Sequence, residues 1–315
     1  MAERSVAGLN AQQRMASGAA ATGCAGEAPV LAVRDLSASY NGGLALQRVS
    51  FDIYAGERVG IIGPNGAGKS TLFKALVGLL PHQGSISIQG ASCRQSHTMV
   101  GYVPQYEAID WKFPVSVWDV VMMGRARQIG YVLLPRGRDR AAVREALERV
   151  GMWDLRKRQI GELSGGQRRR VFIARALAQQ ASVLLLDEPF SGVDAQAEAE
   201  IFEVLDVLRA ERIAVLLATH NLVQAATHFD RLMMMSQGRM LAYGDPKEVY
   251  TPRTLAETFG DRIALWQEGD GYVMVADKPC HDHDDHDDHL AHGGVSGYNE
   301  RFTHAHHPAG GASHD

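Results

Sequence analysis

Cysteine is scarce in this chain. Its three cysteines, Cys24, Cys93 and Cys280, lie far apart and form no CxxC pair. An odd, scattered set excludes a disulfide framework and fits a reducing compartment. Long hydrophobic runs are also missing. No stretch of about 18 or more apolar residues occurs, so no segment is expected to span a bilayer by itself. The first 28 residues are rich in Ala, Gly and Gln and lack the compact apolar core, roughly 7–15 residues long, of a secretory signal. There is no long coiled-coil pattern, and no basic stripe for nucleic acid outside one Arg-rich segment.

What is present is ordinary in bulk. The 315 residues are 45% hydrophobic and 22% charged, typical of a globular chain. The net charge of -4 is unevenly spread. From Asp277 onward there are eight acids and two bases, a net of -6, so the preceding 276 residues carry +2. The C-terminal stretch is electrostatically a separate object.

Residues 1–28 read as a flexible leader. From Val30, "VLAVRDL" and "VSFDIYAGERVGIIG" read as strands, "KSTLFKALVGLL" as a helix, and "GSISIQG" as a half-buried strand. Over about 106–161 the character becomes helical, with "VWDVVMMGRARQIG" and "DRAAVREALERVGMWDL". This insert is basic: Arg125 to Arg158 holds ten Lys/Arg and four Asp/Glu. A solvated helix face and a functional surface are equally open readings of that bias. Helix and strand then alternate through "GGQRRRVFIARALAQQ", "SVLLLDEP", "AEAEIFEVLDVLRAE", "IAVLLATH" and "NLVQAATHF". A hairpin around Gln237-Gly238 and two short helices over about 246–260 follow. Short apolar strands alternating with helices imply a parallel sheet covered on both faces.

Three motifs carry chemistry. Gly63, Pro64, Asn65, Gly66, Ala67, Gly68, Lys69, Ser70 and Thr71 fit G-x-x-x-x-G-K-[ST], between a strand and a helix. Glycines let such a loop curl so that its N–H groups converge on phosphate oxygens at a helix start. Lys69 is expected to reach the β- and γ-phosphates and Ser70 to ligate Mg²⁺. "VLLLDEP" ends a buried strand in Asp187, expected to hold Mg²⁺, and Glu188, placed to orient attacking water. "LSGGQRRR" puts Ser164, Gly165 and Gly166 at a second phosphate-suited helix start. A single nucleotide does not need both starts in one subunit.

Across residues 29–260 the chain resembles the ATP-binding subunits of ABC transporters. The resemblance implies an α/β P-loop NTPase core with an antiparallel β subdomain and a helical insert, and ATP hydrolysis with Mg²⁺. Gly63–Thr71 matches the Walker A loop, Val183–Glu188 the Walker B strand, and Leu163–Gln167 the ABC signature. Tyr40 matches the aromatic that stacks on adenine. Gln105 matches the Q-loop glutamine, a further Mg²⁺ contact, and Ser191–Asp194 the D-loop. His220 matches the switch histidine, although by itself it would read as a surface histidine at a strand end. Two copies are implied to pair head-to-tail, so that Ser164, Gly165, Gly166, Gln167 and Asp194 of one close on ATP held by the other. Membrane permease subunits and, indirectly, an extracytoplasmic metal-binding protein are the implied partners, with no nucleic acid. The implied place is peripheral, on the cytoplasmic face of the membrane.

"QYEAIDWKFPVSVWDVVMMGR" is similar to the branch that imports manganese, zinc or iron ions, through Ile109, Asp110, Trp111, Phe113 and Pro114. Trp111 and Phe113 are candidates for contact with a permease helix, or for packing inside the insert itself. The implied function is the ATPase subunit of a transition-metal importer, manganese first. The alternatives are an ABC ATPase not coupled to a permease and a metal-buffering protein. Residues 261–315 lie beyond the resemblance, as an extension with a His/Asp-rich tail expected to be disordered. His281, His283, His286, His289 and His292 there are candidate ligands for Zn²⁺, or with the aspartates for Mn²⁺. A purely solubilising tail is the other reading.

Overall fold

A computed structural model describes residues 27–40, 43–92, 99–105, 113–130, 134–260, 263–268 and 271–276, the side chains of Tyr40 and of 263–276 excepted. The five tail histidines, and Ile109, Asp110 and Trp111, lie outside the described residues.

The chain opens with β1 (Leu31–Tyr40), β2 (Gly43–Ile53) and β3 (Arg58–Ile62), then α1 (Lys69–Leu76), β4 (His82–Ile88), β5 (Ala91–Ser92) and β6 (Val100–Val103). The helical insert follows, with α2 (Val117–Met123), α3 (Ala126–Ile129) and α4 (Gly137–Arg149). Next come α5 (Gly165–Ala178), β7 (Val183–Asp187), α6 (Ala195–Ala210), β8 (Ala214–Thr219), α7 (Leu222–His228), β9 (Arg231–Ser236) and β10 (Arg239–Gly244). Then α8 (Pro246–Val249), α9 (Pro252–Phe259), β11 (Ile263–Glu268) and β12 (Gly271–Ala276) follow.

Two sheets organise these elements. An antiparallel sheet has the order β2-β1-β4-β5. A six-stranded sheet has the order β10-β9-β3-β8-β7-β6, parallel except at the β10 edge. Its central strands are apolar between their ends because both faces are covered. In β7, Val183 and Leu185 join the core shared with the antiparallel sheet and α1, while Leu184 and Leu186 join the core under α5 and α6. β8 divides in the same way, with Leu216 on the first side and Leu217 on the second. Each fully buried leucine contributes about 1.5–3 kcal/mol on transfer grounds.

Several elements differ from the expectation. "VWDVVMMGRARQIG" is two helices, not one. The break falls at Gly124, where a Cβ would lie 2.1 Å from the Arg175 carbonyl oxygen of α5. β6 was not anticipated, because its four residues adjoin the helical insert. The β11–β12 hairpin lies where a polar extension was expected.

The same break explains one basic residue of the insert. Arg125 turns inward beside Gly124 and pairs with Asp139 at 3.0 Å, both nearly fully buried. It also donates to the Ala178 carbonyl at 3.0 Å, fastening the insert to the end of α5. Arg125 is therefore not part of a solvated face. The Arg136 backbone N–H, and then Arg125, hold the Asp139 carboxyl below its ordinary value. Its stabilisation is fully present above about pH 3.9, the unfolded value, and is lost as pH falls through the lower folded value. Asp139→Ala should lower the urea midpoint by leaving the Arg125 cation unpaired, and adding Arg125→Met should recover much of the loss. Equilibrium denaturation of the single and double variants checks this.

Candidate functional site

Five parallel strands end on one edge of the large sheet, and each delivers part of the site. β3 leads into the Gly63–Thr71 loop, β7 ends in Asp187 and precedes Glu188, and β8 precedes His220. β6 precedes Gln105, and β9 ends at the Gln237-Gly238 turn. Ligand crevices of open α/β sheets lie at this carboxyl edge. Here they enclose a pocket of about 730 Å³ lined by Asn65 to Thr71, Gln105, Glu188 and the β9–β10 turn.

The loop is closed around its own lysine. Lys69 Nζ donates to the carbonyls of Gly63 at 2.6 Å and Pro64 at 3.2 Å. Only 7% of Lys69 is exposed. Burial pushes its ammonium pKa down, and the charges of Glu188 and Asp187 push it back up. Gly68 at φ +104 starts α1, and no side chain caps that helix. The first-turn N–H groups therefore lack an intrahelical partner and a side-chain cap. An apolar ligand would find nothing here. A polyphosphate finds a buried cation, uncapped N–H groups and an adequate volume.

Asp187 is 4% exposed and sits at the strand end. Burial raises its pKa, the Glu188 charge adds to this, and a hydrogen bond from Ser70 opposes it. The Tyr102 hydroxyl donates to it at 3.4 Å. A buried carboxylate bonded to the Ser70 hydroxyl beside a phosphate loop is a fit donor set for Mg²⁺.

Glu188 adopts φ +50, a left-handed conformation that is costly for a non-glycine residue. Its carboxylate accepts from Gln105 Nε2 at 3.3 Å, and His220 Nδ1 lies 3.9 Å away. Lys69, Asp187, Glu188, Gln105 and His220 are thus gathered at one edge.

Ser164, Gly165, Gly166, Gln167 and Asp194 are not among the residues lining this pocket. Ser164 caps α5, accepting from the Gln167 N–H at 3.3 Å while Gln167 Oε1 accepts from the Ser164 N–H at 3.1 Å. Asp194 caps α6 through the Ala197 N–H at 2.8 Å. The two helix starts touch: a Cβ on Gly166 would lie 2.4 Å from that of Ala197. Tyr40 closes β1, and its side chain lies outside the described residues. Phe113 is 62% exposed, so it does not pack the insert's core.

Sequence reasoning missed the β9–β10 turn as part of the site. The Gly238 N–H donates to the Ala67 carbonyl at 2.9 Å, and the Gly238 carbonyl accepts from the Gln47 N–H at 2.8 Å. A Cβ on Gly238 would meet the Ala45 carbonyl oxygen at 2.5 Å. The Gln-Gly pair was legible as a hairpin, but its place against the loop comes from strand order.

Residues 46–191 match the ABC transporter family. The manganese transport system ATP-binding protein of Halalkalibacterium halodurans is 42% identical over 247 residues, covering 78% of this chain and 98% of that protein. The chain belongs to the ABC transporter family, as an ATP-binding subunit. The zinc transport system ATP-binding protein of Treponema pallidum is 43% identical over 233 residues, covering 74% of this chain and 87% of its own. A chain of an ABC transporter solved in an inward-facing conformation superposes with a TM-score of 0.68 at 27% identity, covering 78% of this chain and 96% of that one. This ABC subunit is accordingly an ATPase. Among its described residues no helix is long and apolar enough to cross a membrane.

The Walker A loop has a steric limit. A Cβ on Gly63 would lie 2.2 Å from the Met235 carbonyl oxygen, which belongs to strand backbone and cannot yield. Gly63→Ala should weaken ATP binding at least about tenfold, or ~1.4 kcal/mol. Titration with a fluorescent ATP analogue measures it.

Proposed function

We propose that this ATPase powers the import of a transition-metal ion through a separate membrane permease, with manganese first and zinc and iron as further candidates. The reading is supported by the ATP site at one sheet edge, together with relatives named for manganese and zinc transport. The chain would work at the cytoplasmic face of the membrane, as a peripheral subunit fed indirectly by an extracytoplasmic metal-binding protein. Exposed Phe113, in the stretch similar to metal-importing subunits, suits contact with a permease helix.

Within the site, Lys69 and the open start of α1 would bind the β- and γ-phosphates of ATP. Ser70, Gln105 and Asp187 would hold Mg²⁺, which when bound neutralises developing phosphate charge. Glu188 would orient and polarise the attacking water, with His220 and Gln105 bracketing it. Tyr40 would stack on adenine. Ser164, Gly165, Gly166, Gln167 and Asp194 form a separate, self-capped face. That face would close on the ATP of a second copy, giving a head-to-tail dimer held by nucleotide. Hydrolysis would release the dimer, and the permease would respond to opening and closing.

An ABC ATPase uncoupled from a permease is the competing reading. Purification from native membranes separates the two, since an importer subunit should bring a multi-span permease with it. Glu188→Gln should leave ATP affinity unchanged, accumulate an ATP-bound dimer on size-exclusion chromatography, and lower hydrolysis by roughly 10²–10⁴-fold. Wild-type turnover in that variant would remove Glu188 from the role. The tail histidines His281 to His292 would hold Zn²⁺ or Mn²⁺ for regulation or delivery. Ending the chain at residue 279 should remove Zn²⁺ binding by calorimetry and alter the dependence of uptake on metal concentration, with basal ATPase activity unchanged.

A further inference from the structure

Three consecutive arginines follow the signature, and each goes somewhere different. Arg168 donates to the carbonyls of Ile160 at 3.1 Å and Gly161 at 2.7 Å, on the insert. Arg170 pairs with Glu200 of α6 at 2.8 Å. Arg169 turns inward, only 7% exposed, and donates to the backbone carbonyl of Ser191. Ser191 lies in the turn between Glu188 and α6, and its own N–H donates to the Glu188 carbonyl at 3.2 Å. The Glu188 N–H in turn donates to the Ala218 carbonyl of β8 at 3.0 Å.

We infer that Arg169 is a positioning residue for ATP hydrolysis, holding the turn that keeps Glu188 in its left-handed conformation. A non-glycine residue stays at φ +50 only when its surroundings over-determine it. On its N-terminal side Glu188 is fixed by β8. On its C-terminal side the constraint is the Ser191 turn, and Arg169 anchors that turn. A charged donor binds a carbonyl more strongly than a neutral amide does, and a desolvated guanidinium gives up such an acceptor at high cost. Phe190, stacked on Phe202 of α6 at 4.7 Å, pins the same turn from the other side. Without Arg169 the turn can relax, Glu188 can leave the left-handed region, and its carboxylate moves away from Gln105 and His220. The phosphate loop makes none of these bonds, so nucleotide binding is spared. Arg169 also stands one turn into α5, whose first residues are those proposed to meet the second copy's ATP. The seat of that helix and the position of Glu188 are thereby linked within one chain.

The inference rests on the proposed role of Glu188, so Glu188→Gln is measured alongside. The deciding pair is Arg169→Met, with similar reach and no donor, and Arg169→Gln, which keeps an N–H donor. Both are neutral, so neither leaves a buried charge. Phosphate release by the full-length protein should show kcat lowered at least about tenfold in Arg169→Met, with KM for ATP within about threefold of wild type. Arg169→Gln should recover most of that kcat. A loss of kcat/KM that comes entirely from a raised KM, a wild-type kcat in Arg169→Met, or a Gln variant no better than Met overturns the inference. If Glu188→Gln retains turnover, the Glu188 reading fails first.

Discussion

A buried ammonium ion organises this molecule. Lys69 is largely withdrawn from water, so the loop that carries it supplies acceptors, the carbonyls of Gly63 and Pro64. Closing a loop that tightly leaves no room for side chains on its sheet side. Gly63 therefore lies against the Met235 carbonyl, and Gly238 lies against Ala45. The ion is only half satisfied by neutral carbonyls. Asp187 and Glu188 supply the opposing charge from the next-but-one strand. What remains is a cation and a set of uncapped N–H groups facing a cavity, which is what a polyphosphate needs.

The sheet makes that arrangement stiff. Its central strands are buried on both faces, so the ends of β3, β8 and β7 move little relative to one another. Strain is then tolerable at one position, Glu188, because the strand ends and the following turn define its backbone. The helical insert is attached differently. It meets the core along α5 and is fastened by the Arg125–Asp139 pair at the far end of that helix. One helix thus carries the signature at its start and the insert's anchor at its end. Movement of the insert by a permease would reach the signature through a single rigid element.

Much of this was legible in the sequence, for identifiable reasons. "VLLLD" reads as a buried strand because residues on both of its faces must be apolar, and Leu184 and Leu185 do join opposite cores. The phosphate loop reads as a site because glycine spacing, Lys69 and Ser70 have a shared chemical purpose. The order of strands was not legible, since periodicity reports faces and not neighbours. That is why Gln237-Gly238 read as a hairpin and not as a wall of the pocket. The helix break at Gly124 was hidden too, because its cause is the Arg175 carbonyl on another helix. In the sequence Arg169 is one of three consecutive arginines with nothing to set it apart, and only its depth and its Ser191 partner distinguish it. The β11–β12 hairpin was missed although "IALW" and "YVMVA" are short apolar runs set apart by a Gly-containing stretch.

The most direct measurement is manganese accumulation in cells whose only copy of this chain carries Lys69→Ala. Elemental analysis of cell pellets, at matched protein levels and limiting external manganese, gives the number. Accumulation should fall to that of cells lacking the chain, because an importer without the buried ammonium cannot engage ATP. Wild-type manganese content in the Lys69→Ala cells, with the variant present at normal abundance, would contradict an ATP-driven metal importer built on this site.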